Sequence, residues 1–216
     1  MSCAICEKRK EKRFCPAIHG RICPQCCGEQ REVTIDCPPD CVYLQQARAN
    51  ERPPSLAELD QEALFPRVEI GDRFLYEQEH LLLGLSYALA RSARAHGAIR
   101  DADLIGALTS MAKSFETLAG SGLHYEQPVT SLSQQAIADE LQQMLKEYRE
   151  AEQKHLGYVR LRDNDVLRAL VFLLRMGFTR TPGRPKSRAF IEFLFRQFPE
   201  KLAGVAAPAQ SSILIP

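Results

Sequence analysis

The segment ICPQCCGEQ, from Ile22 to Gln30, contains three cysteines within five positions, and two of them, Cys26 and Cys27, are adjacent. All eight cysteines of the chain lie between Cys3 and Cys41, and the 175 residues that follow contain none. Such a density in a chain without a hydrophobic signal segment is typical of metal ligation, with structural disulfides and free thiols as the alternatives. The segment therefore predicts a metal-binding module at the N-terminus.

The cysteine spacing divides the eight residues into two sets of four. The pairs Cys3-x2-Cys6 and Cys23-x2-Cys26 each place two thiolates on one tight turn, and together they complete one tetrahedral four-sulfur site. In an extended or turn segment adjacent side chains point in opposite directions, so Cys26 and Cys27 are expected to face different ions. The second site then takes the remaining four: Cys15, Cys27, Cys37 and Cys41. We expect two structural zinc ions in an interlocked, cross-brace module that needs metal to fold.

Two alternatives to this ligand assignment remain open. His19 can replace Cys27 in the second site, because Cys15-x3-His19 together with Cys37-x3-Cys41 also supplies four ligands. Spacing alone also permits an iron–sulfur cluster, although paired cysteines divided between two sites are a common zinc arrangement. A closed four-ligand site leaves no position for a substrate or a water molecule, which favours structural over catalytic metal.

The run CPAIHGRICPQCCGEQREVTIDCPPDCVYL, residues 15–44, resembles the N-terminal module of an uncharacterised group of bacterial proteins. In that group a cysteine-rich, zinc-binding head precedes a helical body, so the resemblance, which covers residues 3–44, implies zinc binding but no activity. In general pattern the module is also similar to the cross-brace zinc fingers called B-box, MYND and HIT, whose role is protein binding. It departs from them after Cys15, because the position three residues later is Ile18.

The composition of the 216-residue chain is that of a soluble globular protein, with 45% hydrophobic residues, 25% charged residues and a net charge of +1. Such a balance predicts no strong overall attraction to nucleic acid or membrane, so any attraction has to come from local patches. The longest apolar run, LLLGLSYALA, is shorter than the roughly 18 to 20 residues that span a bilayer. The start MSCAICEKRK lacks a signal core, so a cytoplasmic location without a membrane partner is expected.

Apolar residues recur with a helical period from residue 72 to residue 198. The pattern predicts five long helices, at about 72–95, 101–119, 131–151, 163–177 and 187–198. Ser131 and Gln134 are expected to form a capping box at the start of the third. A further short helix is expected near residues 41–50, with Asp40 as its N-cap.

The chain divides into four predicted regions. Residues 1–50 form the eight-cysteine zinc-binding module, and residues 51–71 form a connector interrupted by Pro53, Pro54 and Pro66. Residues 72–199 form the helical bundle, and residues 200–216 form a tail of low complexity. The expected fold class is therefore mainly α: a small binuclear cross-brace zinc module followed by an all-α bundle of about five helices.

Positive charge is concentrated in two segments. One is KRKEKR, Lys8 to Arg13, between the first cysteine pair and Cys15. The other is FTRTPGRPKSR, residues 178–188, here called the basic loop, which lies in a stretch without acidic residues from Val166 to Ile191. Arginine forks and the free amides of a following helix can hold phosphates, so this loop supplies candidate nucleic-acid contacts: Arg180, Arg184, Lys186 and Arg188. For both segments a solvated loop is the alternative.

Catalytic motifs are weakly represented in this sequence. No Gly-rich phosphate loop, nucleophile elbow or His-Glu-x-x-His helix is present, and nothing indicates a small-molecule substrate. Two Glu-x-x-His motifs, Glu77–His80 and Glu152–His155, with Glu116 between them, match the ligand pattern of a di-metal helical bundle. His80 lies about 150° from the apolar stripe of its helix, which argues against that enzyme.

The favoured interpretation is a non-enzymatic, zinc-binding adaptor that binds a macromolecule, either protein or nucleic acid, through basic surface. A thiol-based redox or metal sensor is the alternative, because an exposed thiolate, expected at Cys27, releases zinc on oxidation. The di-metal helical-bundle enzyme is the remote alternative.

Overall fold

The computed structural model describes residues 2–52, 54–122 and 131–200. The predicted low-complexity tail, apart from Glu200, lies outside the described residues. The expected fold class is confirmed, because a cysteine-rich N-terminal region with a small two-stranded sheet is followed by helices. Within the described ranges, no helix has the length and apolar character needed to cross a membrane.

Residues 2–50, here called the head, combine a hairpin with two short helices. Strand β1 (Arg13–Cys15) pairs antiparallel with β2 (Gly20–Ile22), and helices α1 (Pro24–Gln30) and α2 (Val42–Asn50) follow. The N-cap of α2 is Cys41, so the expectation that Asp40 caps this helix was wrong. Seven buried residues form the core of the head, and five of them are cysteines: Cys3, Cys15, Ile22, Cys23, Cys26, Cys27 and Ile35. A core this small and this rich in thiols offers little apolar area to stabilise a fold without metal.

The body of the protein is a bundle of six helices. They are α3 (Asp72–Glu77), α4 (Glu79–Ala95), α5 (Asp101–Ser121), α6 (Leu132–Leu156), α7 (Asp163–Arg180) and α8 (Ala189–Gln197). Helix α5 packs against α6 and α7, and α4 packs against α6, α7 and α8. The predicted first helix is divided in two at Gln78, whose backbone leaves the helical region. Ser131 is the N-cap of α6, and its hydroxyl accepts from the N–H of Gln134 at 3.2 Å.

The connector between head and bundle is fixed by a guanidinium from α7. It contains two short 3₁₀ turns, Leu56–Glu58 and Glu62–Leu64. Arg175 donates to the carbonyl groups of Leu64, Phe65 and Val68 at 2.8–2.9 Å. The side chains of Phe65 and Val68 lie in the apolar core of the bundle, so the end of the connector is packed as part of the body.

The start of α8 is fixed by a buried carboxylate from α5. Asp101, which is 1% exposed, accepts from the N–H groups of Phe190 and Ile191, both at 3.1 Å, and from the Ser187 hydroxyl at 2.8 Å. The first amides of a helix have no acceptor within the helix, so this carboxylate satisfies them and holds the end of the basic loop against α5.

Gly177 lies inside α7 instead of marking its end, and the helix continues to Arg180. A Cβ atom at this position would lie 3.1 Å from the ring of Phe190 and 3.3 Å from Ile105. The glycine therefore allows α7 to approach α5 and α8 closely. From the sequence alone, a glycine at this position predicts a helix end instead.

We predict that Gly177→Val lowers the free energy of unfolding by about 1–3 kcal/mol, because the added side chain overpacks a buried helix crossing. Chemical denaturation measures the change. Gly120→Ala is the matched control: among the described residues, nothing beyond the local backbone of α5 lies within 4 Å of a Cβ at this position. It should raise the stability by about 0.5–1 kcal/mol through helix propensity alone. Equal stability of Gly177→Val and wild type would contradict the packing role.

Candidate metal centre

Four cysteine sulfurs come together in the head as the spacing predicts. The Sγ atoms of Cys3, Cys6, Cys23 and Cys26 all lie within 4.8 Å of one another. Four sulfurs bound tetrahedrally at about 2.3 Å from one ion are about 3.8 Å apart, so this cluster fits a single metal ion. Three of the four residues are buried and Cys6 is partly exposed, as in a closed site held inside a fold.

Cys3 and Cys6, the first half of the cluster, lie on a tight turn whose backbone amides approach the Cys6 sulfur. Glu7, directly after Cys6, has a left-handed backbone with φ of 55° and donates its N–H to the Cys3 carbonyl at 2.8 Å. The following N–H groups, of Lys8 and Arg9, form hydrogen bonds to the Cys6 sulfur. Backbone donors of this kind stabilise a thiolate, and with it metal ligation.

The second half of the cluster is the start of α1. Cys23 is the N-cap residue, and its Sγ accepts from the N–H of Cys26 at 3.4 Å. Pro24 follows at the first helical position, where the missing N–H costs nothing and the fixed φ suits a helix. The N–H of Cys23 donates to the Sγ of Cys3 at 3.2 Å, which links the two halves.

The surroundings of the thiols favour a bound cation. Burial opposes the Cys3 thiolate, but backbone N–H donors outweigh it and lower the pKa of Cys3 to about 6. The N–H groups of Lys8 and Arg9 lower the pKa of Cys6. Burial, followed by the other three sulfurs of the cluster, raises the pKa of Cys26 to about 12. A metal ion would offset the repulsion that keeps this last thiol protonated.

The second set of four cysteines is not brought together to the same degree. Among the described residues, the group at metal-binding distance is the first set alone. Cys15 and Cys27 nevertheless belong to the core of the head, Cys37 packs against that core, and Cys41 is the N-cap residue of α2. Burial, and then the charges of Cys41 and Cys15, raise the pKa of Cys37, against a hydrogen bond from the Glu32 N–H. These four thiols are therefore neighbours, but their geometry is looser than that of the first set.

The adjacent cysteines of the opening segment diverge for a different reason from the one expected. Cys26 and Cys27 were expected in an extended or turn segment, but both lie in helix α1. Consecutive side chains on a helix are about 100° apart. This divergence is enough for Cys26 to join the four-sulfur cluster while Cys27 stays outside it.

The other candidate ligands are not assembled into a site. His19 is exposed in the turn between β1 and β2, and His80 and His155 are exposed on their helices. Glu77 pairs with Arg73, and Glu152 accepts from the N–H groups following α6. The described residues include no group of these histidines and acids at metal-binding distance.

A network of ion pairs, here called the clamp, joins the head to the bundle. Its six members are Arg31, Glu32, Arg48, Glu51, Arg184 and Glu192. Glu32, only 1% exposed, accepts from Arg48 at 2.6 Å, and Arg48 also pairs with Glu192 of α8. Glu51 accepts from Arg31 at 2.7 Å and from Arg184 of the basic loop at 2.8 Å. Contacts of head residues with α8 and with the basic loop therefore hold the two parts together.

All four candidate nucleic-acid contacts of the basic loop have partners inside the protein. Arg184 binds Glu51 and the Arg31 carbonyl, and Lys186 donates to the Thr34 carbonyl. Arg188 donates to the Gly97 carbonyl at 2.8 Å. The guanidinium of Arg180 lies 4.4 Å from the ring centre of Phe193. Contact of these residues with phosphate stays a prediction. The local charge pattern gave no signal that the loop docks on the head, because its acceptors lie far away in the sequence.

Comparison with known proteins found no matching family model, no matching curated protein and no matching solved structure. The resemblance of residues 3–44 to a bacterial zinc-binding module and to cross-brace fingers therefore stays a prediction. What stands is a head with eight cysteines, four of them clustered at metal-binding distance.

We predict that Cys26→Ser lowers the bound metal by about one ion per chain, because a tetrahedral site of this kind needs all four sulfurs. Elemental analysis of protein purified under reducing conditions measures the loss. Cys27 lies outside the cluster, so Cys27→Ser should leave this ion bound and can release only a different one. The two losses should therefore add in the double variant. A double variant that loses no more metal than Cys26→Ser would contradict the separation of the two thiols.

We predict that Glu32→Gln destabilises the protein by about 2 kcal/mol. The change removes one of the two carboxylates that pair with Arg48. Because Arg48 is mostly buried, breaking this ion pair is costly. Chemical denaturation of the metal-loaded protein measures the effect. The control is Glu77→Gln, which removes an exposed pair on α3 and should change stability too little to measure. Equal effects of the two substitutions would show that the clamp contributes no more than a surface pair.

Proposed function

We propose that this protein is a non-enzymatic, zinc-binding adaptor of the cytoplasm, whose head binds single-stranded nucleic acid. The metal has a structural role in this proposal. Four cysteines complete a tetrahedral site, which leaves no position for a substrate. An acidic protein segment is the alternative partner, because the same cationic surface would attract it.

Zinc is the metal that the donor set supports best, and the proposal includes two ions per chain. Zinc accepts four thiolates in a closed tetrahedral site without redox chemistry. The second ion would take Cys15, Cys27, Cys37 and Cys41. Cys15 and Cys27 lie in the core of the head, Cys37 packs against it, and the charges of Cys41 and Cys15 act on Cys37; binding a metal would draw the four together.

The observation that carries the proposed function is the outer face of the hairpin. Phe14 is 53% exposed and lies directly opposite Arg21 in the antiparallel register. Side chains two residues apart on a strand share a face, so Lys12, which is also exposed, flanks Phe14 on the same side. An aromatic ring between cations on a sheet surface is the arrangement on which single-stranded bases stack while their phosphates are neutralised.

The charge run before the hairpin adds to the same surface. Lys8, Arg9, Lys10 and Lys12 are exposed, and the segment from Lys8 to Arg13 holds five cations against one acid, Glu11. Glu11 pairs with Arg21 at 3.3 Å, Arg9 interacts with the Cys23 sulfur and Arg13 lies over the Tyr43 ring, so among the described residues the lysines of this segment have no ion pair. Local positive potential can thus arise in a protein whose net charge is only +1.

A thiol-based sensor is a second candidate, favoured by the position of Glu32. Its N–H bonds to the Cys37 sulfur, while its carboxylate binds Arg48 in the clamp. With zinc bound, Cys37 would be a thiolate ligand, and its oxidation would release the metal beside the residue that joins head and bundle. Oxidation in the head would then change the contact between head and bundle through Glu32.

We predict that the wild type binds labelled single-stranded RNA at low salt and that Phe14→Ala weakens binding about tenfold, because one stacked base contributes roughly 1–3 kcal/mol. Fluorescence anisotropy titration measures the affinity. The matched control is Tyr76→Ala, which removes another exposed aromatic side chain, on α3 of the body, and should leave the affinity unchanged.

Two results would contradict this function. Wild-type binding weaker than about 100 μM, the weak end of ordinary non-specific association, would remove nucleic acid as the partner and leave the acidic protein. Equal losses in Phe14→Ala and Tyr76→Ala would show that the hairpin is not the contact surface.

A further inference from the structure

A polar cleft opens where α2 and the connector meet α7 and α8. It encloses about 250 Å³. Its polar lining comes from both sides of the junction and includes Arg48, Arg52, Thr179, Arg180, Thr181 and Arg196. This volume is below that of an ordinary drug-sized pocket, so the cleft suits a small ligand.

The cleft contains more positive than negative charge. Four arginines line it against two acids, Glu51 and Glu192. Both acids are already engaged, since Glu51 accepts from two clamp arginines and Glu192 pairs with Arg48. Over the ranges that the structure describes, Arg180 and Arg196 have no carboxylate partner, and Arg52 has only an exposed one at 3.7 Å, Glu58.

The orientation of these groups suits an oxyanion. The guanidinium carbon of Arg180 lies over the ring of Phe193, 4.4 Å from its centre, and Phe193 also lines the cleft. A guanidinium over a ring face can still donate its N–H groups to a ligand. Thr181 is 8% exposed, and its hydroxyl accepts from the Gly183 N–H at 3.3 Å, so its own proton can be given to a ligand. Guanidinium forks and a hydroxyl donor together match the several acceptor oxygens of a phosphate.

We propose that this cleft binds a small phosphate-bearing anion, separately from the hairpin surface. The anion would balance the surplus arginines and, because the lining comes from the head, the connector and the bundle, would strengthen the junction between them. The phosphate can come from a free di- or polyphosphate or from the backbone of a bound nucleic acid.

The test is isothermal titration calorimetry of the metal-loaded, full-length protein with pyrophosphate, with ionic strength held constant by chloride. Arg180→Gln and Arg196→Gln should each weaken binding about tenfold, since one charge-assisted hydrogen bond contributes roughly 1.5–3 kcal/mol. Both side chains are exposed, so neither change should disturb the fold, which circular dichroism checks. Arg73→Gln is the matched control: it removes an exposed arginine on α3, away from the cleft, and should bind as the wild type does.

A short single-stranded RNA, added in competition, separates the two phosphate sources. RNA that leaves pyrophosphate binding unchanged indicates a free anion, and RNA that displaces pyrophosphate in the wild type indicates a backbone phosphate; both results support the site. Absence of binding up to about 10 mM pyrophosphate would overturn the proposal. Equal affinity of the wild type and both cleft variants would overturn it as well. Neither result bears on the hairpin, because Phe14→Ala tests that surface separately.

Discussion

The fold of the head depends on four thiols held within 4.8 Å of one another. Thiolates at such distances repel, and burial opposes their charge, which raises the pKa of Cys26 to about 12. A core of five cysteines and two isoleucines has little apolar area to offset that repulsion. A cation bound by all four sulfurs would remove this conflict and would stabilise the hairpin, the start of α1 and the turn at Glu7 together.

Glu32 links the cysteine-rich head to the helical bundle. Its backbone is left-handed, with φ of 56°, a conformation that is strained for a residue other than glycine. It is held there from both sides: its N–H binds the Cys37 sulfur, and its carbonyl accepts from the Lys186 N–H at 2.8 Å. In the described ranges the buried side-chain atoms without a hydrogen-bond partner all belong to the clamp: Arg31 Nε, Glu32 Oε2 and Arg48 Nε. The junction is thus more costly to bury than an apolar one, and a metal that orders the head would help to stabilise it.

Local patterns predicted the parts of this structure that local physics controls. Helical periodicity located the bundle helices, and Cys-x2-Cys spacing located the cluster of four cysteines. Errors arose where distant residues decide the outcome. Gly177 is a packing contact with Phe190 and Ile105 rather than a helix end. The cations of the basic loop likewise find acceptors such as Glu51, more than 100 residues earlier in the chain, and no charge pattern within the loop could reveal them.

The bonds that the basic-loop cations form within the protein limit where it can bind a phosphate. Guanidinium groups already bonded to carboxylates and carbonyls must break those bonds before they bind a ligand, and breaking them in the clamp would weaken the junction of head and bundle. The hairpin carries no such cost, because Phe14 belongs to neither apolar core and the side chains of the lysines beside it are exposed. A partner bound there leaves the clamp intact. The loss expected for Phe14→Ala therefore measures a contact with the ligand rather than a change in stability.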